Sequence, residues 1–405
     1  MVEYILKNNI KLVYKKTTSS LTSISISLGA GAAMDGKKLG IAHATEHMVY
    51  KGTKNRSESE INRELSDIFG FQNAMTNYPY VIYYGTLLND DFKAGISLFK
   101  DILVNPEFKE DGFNEEIQVI IEELKEWDEE LDQYTEDKLF LNSFSNRRLK
   151  NPIIGKLSTL KEMTLKDIRD FYNKYYVPSN TSIAVISSLN FDYVKKVIEE
   201  EFNSWEDKKL LKEKELYESP KCEIFYNYRE GIKTCKVEII YSIHNLTEKE
   251  IKALTIFDEY FGKGVNSILY DTLRTKNGLI YDVLTKISLE SHIKLYKINF
   301  STSKENLDYS LKLINECINN IVNLKDMLTE EDKKRLIKGI KLKRLFREEQ
   351  NIILAKELST YGTMFNDFNR YLDEINNLED MEIDFIIYVA IKVLKKPSIE
   401  IILGK

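Results

Sequence analysis

Ile24, Ile26 and Leu28 alternate with Ser23, Ser25 and Ser27, the period-two signature of a strand with one buried face. The same alternation recurs at Val237, Ile239, Tyr241 and Ile243, and a short apolar run at 183–186 follows a Pro-Ser-Asn turn. Elsewhere the period becomes helical. Ser57 with Glu60, and Thr247 with Glu250, have the spacing of capping boxes. The first opens a helix that Gly70 can stop, and the second a helix running to about Phe261. In the segment 114–130, Ile117, Ile120, Ile121 and Leu124 fall on one helical stripe. Each half of the chain thus starts with strands, continues with helices and returns to a strand. This predicts an α+β protein and suggests a duplication, although no repeat is detectable residue by residue.

With 405 residues, 43 % hydrophobic and 30 % charged, the chain has the make-up of a globular protein of about two domains. The charged stretch after Trp205, ending in Pro220, lacks apolar periodicity and reads as a linker. The expected division is therefore an N-terminal domain at 1–205, a linker at 206–220 and a C-terminal domain at 221–405. No proline lies between Pro220 and Pro397, so the second half can hold long helices. A net charge of -6 argues against a dedicated nucleic-acid binder. Three cysteines are too few and too odd in number for a disulfide scaffold, and read as reduced thiols in a cytoplasmic protein. The first residues lack the apolar core of a signal peptide, and no apolar run has the length of a membrane span. The segment 333–347 carries eight basic residues among apolar ones, the pattern of a helix with one buried and one solvated face; its alternative use is a positive wall for an acidic substrate.

The chemistry concentrates in GIAHATEHMVYKGT. His43 and His47 are four residues apart, so on a helix both imidazoles share a face and can reach one metal ion. Glu46 sits between them, near the same face, and can touch a metal-bound water without being a ligand. This H-x-x-E-H order inverts the better-known H-E-x-x-H spacing. Its apolar flanks argue for burial, and a buried histidine pair without a metal would leave costly unpaired polar groups. A catalytic zinc usually takes three protein ligands, and a carboxylate is the natural third. Glu116 and Glu123 share a face of the 114–130 helix but stand two turns, about 10 Å, apart. One of them can ligate and the other orient; spacing alone leaves the choice open.

These residues resemble the pitrilysin/insulinase family of zinc peptidases, in its short two-domain, processing-peptidase-like branch. The likeness covers most of the chain. GIAHATEHMVYKGT resembles the family's zinc helix, and EIQVIIEE, from Glu116 to Glu123, its second metal segment, in which the final Glu ligates. The resemblance therefore implies His43, His47 and Glu123 as ligands of one zinc ion per chain, Glu46 as general base and Glu116 as supporting carboxylate. NAMT resembles a strand that pairs with substrate backbone, which implies Asn73, Ala74 and Thr76 as substrate-binding. PIIGKLSTL with FYNKYYVPSN resembles the stretch closing the first domain. LRTKNGLIYDV resembles the second-domain segment that contributes an Arg and a Tyr, here Arg274 and Tyr281. The implied fold is two similar domains, each a mixed or antiparallel sheet with helices packed on it, together half of a clamshell. The implied activity is zinc-dependent endopeptidase cleavage of extended or unfolded peptides in a closed chamber. The implied partners are a peptide substrate and a second chain, as a homodimer or as a heterodimer with a related subunit, with no nucleic acid and no membrane. The alternative is a non-catalytic subunit of a peptidase pair.

Overall fold

The computed structural model describes residues 1–208, 210 and 217–405. Seven of the residues in the expected linker, 209 and 211–216, lie outside this description. The chain forms two compact units, each assembled from separate stretches of sequence: 1–126, 151–215 and 346–371 in the first, 127–150, 216–345 and 372–405 in the second. They differ from a division into 1–205 and 221–405 chiefly by two helices, one from each half, that belong to the other unit.

The first unit is built on a six-stranded sheet. In chain order its strands are β1 (Val2–Ile5), β2 (Lys11–Lys16), β3 (Leu21–Leu28), β4 (Phe69–Thr76), β5 (Val81–Leu88) and β6 (Thr181–Ser187), and in space they run β1-β2-β6-β3-β5-β4. Only β2 and β6 pair in parallel. The second unit carries β7 (Ile224–Arg229), β8 (Cys235–Ser242), β9 (Ile280–Leu289), β10 (Lys294–Thr302) and β11 (Ser398–Gly404), ordered β7-β11-β8-β10-β9. β11 lies between β7 and β8 and parallel to β7, as β6 lies between β2 and β3 and parallel to β2, with β1 added at the edge of the first sheet. The two sheets therefore share one connectivity, which is the α+β duplication that the alternating segments suggested. No helix among the described residues is long and apolar enough to cross a membrane.

Both capping boxes are present, on the helices Glu58–Ile68 and Glu248–Phe261. The first helix runs straight into β4, and Gly70 lies at a bulge in the strand rather than in a helix stop. β3 departs from the expectation of one buried face: from Thr22 onward it is buried on both. Its isoleucines are buried on one face, and its serines, on the other, are covered by the helix Asn351–Phe365, more than 300 residues away in sequence. Ser25 Oγ meets Ser359 Oγ at 2.8 Å, and Thr363 Oγ1 donates to the Ser27 carbonyl at 3.3 Å. The second unit repeats the arrangement with charges. Val237, Ile239 and Tyr241 point into the apolar core, while Lys236 and Glu238, buried on the other face of β8, lie under the helix Leu131–Ser143. Asp132 and Glu136 of that helix pair with Lys236 and Lys297, and its Asn142 donates to Glu400 at 2.9 Å.

The basic segment lies in the helix Glu330–Glu348. Ile337 and Ile340 are buried, while Lys341, Lys343 and Arg344 pair with Glu379, Glu259 and Glu374. This is the amphipathic reading, with neighbouring carboxylates taking up those charges.

Candidate metal centre

Two helices of the first unit build the site. The short helix Ile41–Met48 begins at Gly40, whose φ of 90° and closeness to the Ile154 carbonyl leave no room for a side chain: a Cβ there would stand 2.4 Å from that oxygen. Its first amides are held by a carboxylate. Asp35 accepts from Gly40 N at 2.7 Å and from Ala42 N at 3.0 Å, placing a buried negative charge at the helix's positive end. The second helix, Phe113–Glu129, presents Ile117, Ile120 and Ile121 to the core and carries Glu116 and Glu123.

His43 and His47 meet edge to face one turn apart, ring centroids 4.6 Å from each other. His43 Nε2 is 3.6 Å from Glu123 Oε1, and His47 Nε2 is 3.5 Å from Glu123 Oε2. The three ligand atoms all lie within 4.8 Å of one another, and among the described residues this is the one such group able to hold a metal ion. Ligands of a tetrahedral zinc, bound at about 2.0–2.2 Å, stand roughly 3.4 Å apart. The spacings are too long for hydrogen bonds and right for atoms that span an ion, so the donor set fits zinc. Glu116 does not join the group. Its Oε1 lies 2.8 Å from His47 Nδ1 and its Oε2 3.1 Å from Lys51 Nζ. Because the carboxylate can only accept, the ring proton is assigned to Nδ1, which turns the Nε2 lone pair toward Glu123.

Burial, helped by the neighbouring His47, pulls His43 down to about 3, so its imidazole is neutral and available as a ligand at physiological pH. Burial pulls on His47 as well, but the Glu116 hydrogen bond and the charges of Glu46 and Glu123 outweigh it and hold its pKa above the usual histidine value. Burial pushes Glu123 up, whereas the hydrogen bond from His47, together with Lys51, holds Glu116 down. Burial also pushes Glu46 up to about 7, against a lowering pull from Thr76. Thr76 Oγ1 donates to Glu46 Oε2 at 2.5 Å. Beneath lie buried phenols, Tyr50 and the hydrogen-bonded pair Tyr83 and Tyr176, which make the pocket apolar and poor at solvating a carboxylate. A general base poised near neutrality is the state that proton abstraction from water requires.

Asn73, Ala74 and Thr76 lie on β4, one of the two edge strands of its sheet. Strand alternation sends Ala74 and Thr76 to the face of the metal helix and Asn73 to the opposite face. Asn73 Oδ1 accepts from the Ala74 amide at 2.8 Å. A cleft of about 480 Å³, lined by Gln118, Val119, Glu122, Glu123 and Glu126, opens beside the third carboxylate. In the second unit the structure brings Arg274 and Tyr281 together: the guanidinium lies 4.7 Å over the Tyr281 ring and hydrogen-bonds the Tyr270 hydroxyl. Arg274 sits in a π-helical turn, Asp271–Lys276, and Tyr281 is 81 % exposed. Sequence reasoning missed Lys51 and Asp35 as supports of the metal helix and the hydroxyl of Thr76 as a partner of Glu46. The signal for Lys51 was its position four residues after His47.

The family model described as Insulinase (Peptidase family M16) matches residues 11–157, which contain all of these ligands, and the model described as Peptidase M16 inactive domain matches residues 162–340. The chain belongs to the M16 peptidase family. A Bacillus subtilis protein named uncharacterized zinc protease YmxG is 24 % identical over 93 % of this chain and 94 % of its own length. The yeast mitochondrial-processing peptidase subunit beta is 32 % identical over 40 % of this chain and 35 % of its own. The crystal structure of a protease from Helicobacter pylori superposes with a TM-score of 0.88 at 20 % identity, covering 99 % of this chain and 98 % of that one. At that identity the likeness speaks for the fold.

Proposed function

We propose that this M16 chain is a zinc-dependent endopeptidase that cleaves extended or unfolded peptides, processing or degrading them. The observation that carries the reading is the convergence of two imidazoles and one carboxylate on a single point, with a buried carboxylate of near-neutral pKa between the two histidines. His43, His47 and Glu123 would hold a zinc ion, which when bound would supply Lewis-acid polarisation of the scissile carbonyl and a more acidic attacking water. Glu46 takes the proton from that water and delivers it to the leaving amine; Thr76 holds its carboxylate in place. Glu116 fixes the ring orientation of His47. The peptide adds as a strand to the outer edge of β4, so Asn73, Ala74 and Thr76 line its path. Backbone pairing of that kind is indifferent to most side chains, which suits unfolded substrates. Arg274 and Tyr281 supply donors suited to a developing oxyanion.

Relatives named as subunits of a processing peptidase support pairing with a second chain, either a copy or a related subunit. Three free cysteines suit a reducing compartment, and we place the protein in the cytoplasm. A non-catalytic subunit is the competing reading, favoured by the description of the family model matched at 162–340. The ligand set lies outside that stretch, and a scaffold has no physical need of it. Metal analysis beside a peptide-library digest separates the two. One zinc per chain is expected, with cleavage that disappears in Glu46→Gln while the zinc stays. A chain that takes up no zinc, or a Glu46→Gln variant that cleaves as well as the parent, would refute the endopeptidase reading.

A further inference from the structure

The two histidines are supported unequally. The Nδ1 atom of His43 is buried and has no hydrogen-bond partner among the described residues, whereas that of His47 opens a chain of charged contacts. His47 Nδ1 meets Glu116 Oε1 at 2.8 Å, Glu116 Oε2 meets Lys51 Nζ at 3.1 Å, and Lys51 Nζ meets Glu58 Oε1 at 2.8 Å. Both oxygens of Glu116 are thereby engaged from opposite sides. A carboxylate held at one oxygen alone can rotate about its last torsion; held at both, it presents a fixed acceptor to the imidazole.

The loop that carries Lys51 is itself anchored. Asp101, buried, accepts from Thr53 Oγ1 at 2.6 Å, Asn55 Nδ2 at 2.6 Å, Arg56 Nη1 at 2.8 Å and Asn105 Nδ2 at 2.7 Å. The backbone is tied at Gly52 and at Lys54 as well, through Glu107 N to the Gly52 carbonyl at 3.1 Å and Lys54 N to the Asn105 carbonyl at 3.0 Å. So rigid a base for a long, flexible side chain is more than a surface ion pair needs. Only 17 % of the Lys51 side chain is exposed, and 13 % of Glu116.

We propose that Lys51 is a positioning residue of the metal centre: by pinning the second oxygen of Glu116, it fixes the orientation and tautomer of His47 and so raises the affinity for the metal. The outer contacts of metal-binding histidines typically govern affinity by about 10–100-fold. This inference rests on the zinc reading above for its purpose, but not for its geometry.

The test measures zinc affinity by competition with a chromogenic chelator, and the His47 tautomer by long-range ¹H–¹⁵N NMR of the metal-free protein. Lys51→Met, which keeps the aliphatic length and removes the charge, is expected to weaken zinc binding about 10–100-fold and to reduce the Nδ1–H tautomer of His47. Lys51→Arg, with its donors restored, is expected to recover most of both. Affinity within twofold of the parent together with an unchanged tautomer would overturn the proposal. If Lys51→Met does not fold, Glu58→Gln, a change at the exposed end of the chain, decides in its place: several-fold weaker zinc binding supports the role of Lys51, and unchanged binding refutes it. A parent protein that binds no zinc would sink the peptidase reading, while the His47 tautomer in Lys51→Met would still decide this one.

Discussion

Replacing Glu46 by Gln is expected to change how the stability of the metal-free protein depends on pH. Burial raises the folded-state pKa of this carboxyl to about 7, against an ordinary value of 4.5. Below pH 4.5 the group is protonated in folded and unfolded chains alike and contributes no difference. Between 4.5 and 7 the unfolded chain ionises while the folded one does not, so the parent loses about 1.4 kcal/mol of stability per pH unit. Above 7 the loss levels off at about 3 kcal/mol. A glutamine, nearly the same shape and still able to accept from Thr76, carries no such titration. Urea unfolding at a series of pH values from 4.5 to 8.5, with a chelator present, should therefore show the variant gaining on the parent through this window, by about 3 kcal/mol at its top. Two stability curves that run parallel would mean that Glu46 is solvated like an exposed carboxylate, and the argument for a base poised near neutrality would go with it.

Thr76→Val removes the hydrogen bond to Glu46 while keeping a β-branched side chain of similar size on β4. Hydrogen bonds to charged groups are worth about 1.5–3 kcal/mol, so kcat for peptide cleavage should fall roughly 10–100-fold with zinc stoichiometry unchanged; steady-state kinetics beside Thr76→Ser, expected to keep most activity, checks this. Ser359→Ala strands the buried Ser25 hydroxyl and should cost about 1 kcal/mol or more in urea unfolding, whereas Ser25→Ala, which leaves Ser359 its bond to the Lys356 carbonyl, should cost less, and the double variant less than the sum.

Much of this architecture was legible in the sequence. The alternating segments became β3 and β8, the capping boxes open the helices expected of them, and the helical spacing of His43 and His47 is what sets their rings on one face. The choice between Glu116 and Glu123 was not open to spacing, because both lie on the same helical face and what separates them is where the other helix sits. The fate of the polar faces was also hidden. Ser23, Ser25 and Ser27 look solvated in a strand pattern, as do Lys236 and Glu238, yet all are buried, because what covers them comes from far along the chain. Local periodicity records which side chains avoid water; it does not record which distant helix shelters the others. Likewise the bond from Thr76 to Glu46 spans 30 residues and leaves no periodic mark.

The helix Asn351–Phe365 that closes the first sheet has a consequence for how the protein must be made. During synthesis, β1 through β6 leave the ribosome long before residue 351, so the metal-binding unit waits with one side of its sheet bare until the helix Asn351–Phe365 has been made. A nascent chain stalled before that point exposes a layer ready to associate with other chains, and a proteolytic cut near 206–220 would free neither half as a self-sufficient module, since each would leave behind the strip of cover that the other half supplies.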